Sequence, residues 1–171
     1  FEQSITLNEF EKLENEVEHD VLNMLFMKLK DYEDLLDVCA HSKRFGNVSL
    51  HNYVNIVRPN EELQFAAITY KLDNGKIVLA FRGTDDTVAG WKEDFNMGIM
   101  EIVPSQTESI NYLNDVANHF EEEHMYIVGH SKGGNLALYS AINSSLKVNC
   151  RIERIINYFK ILINYNFAFI W

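Results

Sequence analysis

The sequence has few cysteines, no excess of positive charge and no long apolar run. Its two cysteines, Cys39 and Cys150, are far apart, with no CxxC spacing and no nearby histidine at zinc-ligand spacing. That excludes a disulfide framework or a sequence-encoded zinc site and leaves two free thiols of a reducing compartment. A cytoplasmic location, with no metal and no cofactor, is therefore expected. Lys and Arg number 15 against 25 Asp and Glu, a net charge of −10. Nucleic acid and an anionic membrane surface are thereby excluded as main partners, because both require clustered cations. No apolar run reaches the ~18 to 20 residues of a membrane span. There is no internal repeat and no low-complexity linker. What remains is ordinary globular material: 171 residues, 47% hydrophobic and 23% charged. That is enough for one domain burying about 70% of its unfolded surface.

The first 50 residues read as a helical segment. Phe10, Leu13, Val17, Val21, Met24 and Leu25 recur at spacings of three and four across residues 8 to 30, with Glu11, Glu14 and Glu18 on the other face. A second helix is expected from Asp34 to Arg44, stopped by Gly46. The pattern then becomes β. Tyr53 to Val57 is one short strand, and Gln64 to Leu72 and Lys76 to Phe81 flank Asp73-Asn74-Gly75, a hairpin signal because Asn-Gly accepts positive φ at low cost. Ser105 and Glu108 read as a capping box behind Pro104, opening a helix that runs to Glu121. A strand at Met125 to Val128, a helix at Lys132 to Ile142 and a strand at Ile152 to Tyr158 follow. Strands separated by crossover helices imply an α/β fold with a mostly parallel sheet covered on both faces.

Two segments carry chemistry. Gly129-His130-Ser131-Lys132-Gly133 is a G-x-S-x-G pattern, which chance places in roughly one chain of this length in twenty. Its context is more specific, since an apolar strand leads in and a small-residue helix leads out, the setting of a nucleophile elbow. Gly129 and Gly133 stand where a Cβ would collide with the neighbouring strand or helix. The helix N-terminus and the Lys132 N–H would favour a developing oxyanion. The alternative is a glycine-rich turn with an idle serine. The second segment is the buried strand ending in Arg82-Gly83-Thr84. An acyl-transfer site needs an oxyanion donor from the loop after a neighbouring strand, and Thr84 fits; a plain polar turn is the alternative.

Phe81-Arg82-Gly83-Thr84, followed by Trp91 and Asp94 and then by Gly129-His130-Ser131-Lys132-Gly133, resembles the class 3, or fungal-type, lipases. The longer string Gly90-Trp91-Lys92-Glu93-Asp94-Phe95-Asn96-Met97, with Pro104, Gln106 and Gly-His-Ser-Lys-Gly-Gly-Asn-Leu-Ala, is similar to a lipase-like bacterial family of unassigned function. The likeness covers roughly residues 62 to 158. It implies an α/β-hydrolase fold, Ser131 as nucleophile, Thr84 and Lys132 as the oxyanion hole, and a small-molecule or lipid ester as substrate. It also implies that the segment after Thr84 is a lid. Val88, Trp91, Phe95, Met97, Ile99 and Met100 are apolar enough to cover an acyl site; a core-packing helix is the alternative.

The chain departs from that pattern after Ser131. A hydrolase triad continues with an acid and then a histidine. Here Glu153 is the one carboxylate that follows and every histidine lies upstream, at 19, 41, 51, 119, 124 and 130. Residues 159–171 are Ile-, Asn- and aromatic-rich, where the resembled family would carry an Asp-Gly-Pro-Gly loop. The expectation is a single, truncated or frame-shifted hydrolase domain lacking its triad acid and base, a weak or inactive enzyme; a non-catalytic fragment serving as a binding module is the alternative. The oligomeric state is left open.

Overall fold

The computed structural model describes residues 4–14, 29–85 and 87–158. In chain order its elements are β1 (Ile5–Thr6), α1 (Leu7–Glu14), α2 (Leu29–Ala40), β2 (Ser49–Arg58), β3 (Leu63–Lys71), β4 (Ile77–Phe81), α3 (Val88–Met97), α4 (Pro104–His119), β5 (Met125–His130), α5 (Lys132–Ile142), α6 (Leu146–Asn149) and β6 (Ile152–Tyr158). Only the first part of the expected helix over residues 8 to 30 is seen, as α1: its Asn8 donates to the Ala40 carbonyl at 3.4 Å, so α1 and α2 pack side by side as two elements; residues 15–28 and the apolar tail 159–171 lie outside the described residues. The second expected helix starts earlier and stops at Ala40, four residues short of Arg44.

The six strands form one sheet in the order β1-β2-β3-β4-β5-β6. The sheet is mixed. β1 to β4 pair antiparallel, and β4/β5 and β5/β6 pair parallel. The reason lies in the connections. The short connections between β2 and β3 and between β3 and β4 return the chain in the opposite direction, whereas α4 and α5 are crossovers that restore it. The β3–β4 turn is the one that Asp73-Asn74-Gly75 announces: Gly75 has φ 79° and its N–H donates to the Leu72 carbonyl at 2.9 Å, while the Asn74 side chain accepts from the Lys76 N–H at 3.1 Å.

Side chains alternate across β4. Ile77, Leu79 and Phe81 are buried and Val78 and Ala80 half-buried. The buried set meets Tyr112, Leu113, Val116 and Ala117 of α4 and Leu136, Ala137 and Ala141 of α5, with Met125 and Ile127 of β5, in one core. Thr69 donates to the Tyr112 hydroxyl (2.7 Å), which donates to the Asn52 carbonyl (2.9 Å), so the buried phenol of α4 is satisfied from the sheet. The other face, with Tyr70 and Val78, looks onto α1 and α2 across an apolar cavity of about 430 Å³ that Leu7, Leu35, Leu36 and Phe45 also line.

α4 begins differently from expectation. Val103 is its N-cap and Pro104 its first residue, where the missing N–H costs nothing. Gln106, not Glu108, reaches back, its Oε1 accepting from the Val103 N–H at 3.1 Å. Ser105 is fully buried within the first turn, and its N–H is claimed by another element, as described below.

Candidate active site

The parallel register sets the geometry of the site. Phe81 lies opposite Gly129 and His130 opposite Tyr158, so β4, β5 and β6 end together at one edge. Ser131 follows β5 directly and is the N-cap of α5, with φ 55° and ψ −122°. A non-glycine residue there is strained by of order 1 kcal/mol or more. The surroundings over-determine the strain: the Ser131 N–H donates to the Tyr158 carbonyl (3.0 Å), and the Ser131 carbonyl accepts from the N–H groups of Gly134 (3.0 Å) and Asn135 (3.2 Å). A serine at an N-cap ordinarily accepts a hydrogen bond from its own helix; the Ser131 side chain does not.

The turn is possible only because its neighbours lack Cβ atoms. A Cβ on Gly129 would lie 2.1 Å from the Gly133 carbonyl oxygen, and one on Gly133 would lie 2.2 Å from the Phe81 carbonyl oxygen. The loop after β4 presses on the same spot, since a Cβ on Gly83 would sit 3.8 Å from that of Ser131. Arg82-Gly83-Thr84 and Ser131 therefore share an edge and adjoin.

Thr84 donates its hydroxyl proton to Asp94 through a short hydrogen bond. The Asp94 carboxyl is held above the usual range chiefly by burial, against the lowering effect of the Thr84 hydroxyl and of the Lys132 charge. Lys132 sends its side chain inward, where it is completely buried. Its Nζ donates to the Gln64 carbonyl (2.6 Å), the Gln64 Oε1 (2.6 Å) and Glu93 Oε2 (2.9 Å), which uses all three protons. Glu93, equally buried, also accepts from the Gln64 N–H (3.0 Å) and, through Oε1, from the Ser105 N–H (2.8 Å). Both charges of this pair are thus fully hydrogen-bonded, the condition under which a buried pair is tolerated.

α3 shows two faces. Ala89, Gly90, Glu93 and Met97 are buried, whereas Val88 is 72%, Trp91 52% and Phe95 71% exposed. The buried side packs into the fold, and the exposed side holds the apolar residues Val88, Trp91 and Phe95. No motif in the sequence gives Glu93 a role. The available signal was its position: residues 89, 93 and 97 form one helical stripe, and a carboxylate between two apolar anchors needs a buried cation.

Glu153, the lone carboxylate after Ser131, opens β6 at the opposite edge. There it accepts from Lys76 Nζ (2.5 Å) and faces His124 Nδ1 at 3.5 Å. It cannot be the acid of a triad at Ser131. The other described histidines upstream of His124 lie elsewhere: His51 and His119 are edge-on to Phe120, and His41 bonds the Asp37 carbonyl. His130 is exposed at the end of β5, and His19 is outside the described residues. Glu11, Asp37 and His41, at the N-terminal helices, bring three possible metal-ligand atoms within 4.8 Å of one another. In that group the Asp37–His41 approach of 3.2 Å is an ordinary i, i+4 helix contact.

A family model described as Mbeg1-like matches residues 39–160, well over half of the chain. The chain belongs to the Mbeg1-like family. The lipase-like resemblance carried by the two motifs holds at that level, and the sheet flanked by helices is an α/β fold. One solved structure, of a fungal lipase–inhibitor complex, is similar at 16% identity and a TM-score of 0.42, over 56% of this Mbeg1-like chain and 41% of the other. No curated protein matches it. Among the described residues no helix is long and apolar enough to cross a membrane.

Proposed function

We propose that this chain is a serine hydrolase of the lipase or carboxylesterase type, with Ser131 as its nucleophile. One observation carries the reading: Ser131 sits at a strand-to-helix turn with φ 55° and leaves its hydroxyl uncommitted to the helix it opens. In the proposed chemistry the Ser131 Oγ attacks the acyl carbonyl of an ester, and the carbonyl oxygen becomes an oxyanion. The Lys132 N–H, at the start of an eleven-residue helix, donates to it along the favourable end of the helix dipole. Thr84 supplies the second donor. Its hydroxyl proton is committed to Asp94, so its backbone N–H takes that role. The exposed apolar residues Val88, Trp91 and Phe95 beside the Thr84 loop favour an ester with an apolar acyl group, a small molecule or a lipid. No cofactor or metal enters this scheme.

The scheme still needs a base, because a serine hydroxyl is a weak nucleophile at neutral pH. Glu153 and His124 are at the wrong edge, and we therefore infer slow turnover. A non-catalytic binding module is the second reading, and the placement of Glu153 and His124 at the edge away from Ser131 is the observation in its favour. A fluorophosphonate probe tests both. Labelling is expected to be slow and lost in Ser131→Ala, because an oxyanion hole without a working triad retains roughly 10³ to 10⁴-fold over water. Equal labelling of the variant favours the binding module, and rapid labelling of the wild type would mean that an upstream histidine serves as base.

A further inference from the structure

We propose that α3 is a fixed clamp that positions both oxyanion donors, through two consecutive carboxylates, and does not swing away from the site. The proposal rests on the reading of Ser131, Lys132 and Thr84 given above and assigns Glu93 and Asp94 as positioning residues for them. Consecutive helix residues point about 100° apart, so neighbours on one helix can reach two different elements. Glu93 points inward and grips Lys132, the residue after the nucleophile, at 2.9 Å. Asp94 points to the side and accepts from Thr84, at the end of β4's loop. One helix thereby holds the two peptides whose N–H groups must converge on a single oxygen.

The grip is not local to α3. Through Glu93 and Lys132 it joins β3 at Gln64, the first turn of α4 at Ser105 and the first turn of α5. The start of α3 is pinned as well, because Thr87 accepts from the Gly90 N–H (3.0 Å) while its own hydroxyl donates to Asp85 (2.5 Å). Arg82 donates to the other oxygen of Asp85 at 3.2 Å. Lifting α3 would leave the Lys132 ammonium, 0% exposed, without its carboxylate. It would also strip the Gln64 and Ser105 N–H groups of their acceptor. An uncompensated buried charge of that kind is among the costlier defects a protein can carry. The exposed apolar side of α3 is therefore present permanently, and the oxyanion pocket is assembled before any substrate or lipid arrives.

Amide hydrogen exchange on the full chain tests the clamp without requiring catalysis, and fluorophosphonate labelling and ester kinetics on the same proteins test its consequence. In the wild type, α3 amides should exchange within about tenfold of those of β4, unchanged by detergent micelles. Glu93→Gln should speed exchange of residues 131–135 at least tenfold, and Asp94→Ala that of residues 82–85, with residues 125–127 at the far edge unaffected. Both variants should lower the Ser131 labelling rate and kcat on an activated ester by about 10²-fold, the size of one lost oxyanion donor, with KM unchanged. Glu93→Asp, which keeps the charge, serves if Glu93→Gln does not fold, and should show a smaller change at the same amides.

Rapid exchange of wild-type α3, or its acceleration by micelles, would overturn the proposal. So would unchanged elbow exchange in the Glu93 variants, or a sheet-wide increase, which would mark Glu93 as merely structural. The expected exchange pattern together with labelling that persists in Ser131→Ala would remove the nucleophile and leave the clamp standing.

Discussion

The two edges of the sheet carry the same kinds of side chain and use them in opposite ways. Where β4, β5 and β6 begin, Lys76 donates to Glu153 at 2.5 Å and to the Tyr126 hydroxyl at 2.9 Å, with His124 beside them. Where they end, Lys132 donates to Glu93 at 2.9 Å. The Lys76 and Glu153 side chains are each about a third exposed, at 32%, and those of Lys132 and Glu93 are fully buried. Water can replace either partner at the first edge, so a broken pair there is resolvated. At the second edge nothing replaces them, and the network has to be complete. Burial, and not the presence of a lysine beside a glutamate, separates a surface contact from a structural anchor.

The strongest way to break this comparison is to remove one cation from each edge. Lys132→Met leaves Glu93 charged and buried with one donor fewer, and should lower the unfolding free energy by about 3 to 5 kcal/mol. Lys76→Met should cost far less. Urea unfolding of the two variants measures the difference, and equal losses would mean that burial is not the deciding variable.

Glycines offer a second contrast. Gly133 at the elbow has the Phe81 carbonyl oxygen 2.2 Å from where a Cβ would be, whereas the space around Gly75, in the turn at the other edge, is open. Gly133→Ala forces backbone apart and is expected to cost about 1 to 3 kcal/mol or more, as overpacking does. Gly75→Ala meets only the penalty of φ 79°, about 1 kcal/mol. Thermal unfolding would sharpen the contrast if Gly133→Ala alone also lost Ser131 labelling.

The smallest expected effects are in pH, and they have opposite signs at the two edges. The Lys76 hydrogen bond, more than any other contact, holds Glu153 below its ordinary 4.5. A carboxylate lowered on folding stabilises above its unfolded value, and that contribution disappears as pH falls through the folded value. Asp94 is raised above 3.8 by burial. It favours the fold below 3.8 and loses that contribution as pH rises through the higher folded value. Glu153→Gln should therefore match wild-type stability at low pH and fall behind above about pH 4.5. Asp94→Asn should gain on wild type as pH rises past 3.8. Denaturant midpoints across pH 2.5 to 7 check both, and parallel curves would contradict the assignment.

Much of this architecture is legible in the order of residues. The helix Lys132–Ile142 and the strand Ile152–Tyr158 appear at the expected boundaries, and Gly75 takes the positive φ that Asn74-Gly75 announces. Those are local matters, in which side-chain period and the steric cost of a Cβ act over a few residues. Other features are not local. β1 is two residues long and exists only because Ile5 pairs with Leu50. α4 is capped at Val103, so that Gln106 is the side chain that reaches back, and the Ser105 N–H is left to the buried Glu93 of another helix.

For the candidate site the division is equally physical. G-x-S-x-G between an apolar strand and a small-residue helix was enough to single out Ser131, because only glycine can stand on either side of so sharp a turn. Thr84 and Lys132 were legible through the same motif logic. Pairings between residues tens of positions apart were not. Glu93 meets Lys132 and Glu153 meets Lys76 across 39 and 77 positions, at opposite edges. A carboxylate has no periodicity that names its partner. Strand register decides which edge it reaches, and the close packing around that edge decides whether water or a lysine answers its charge.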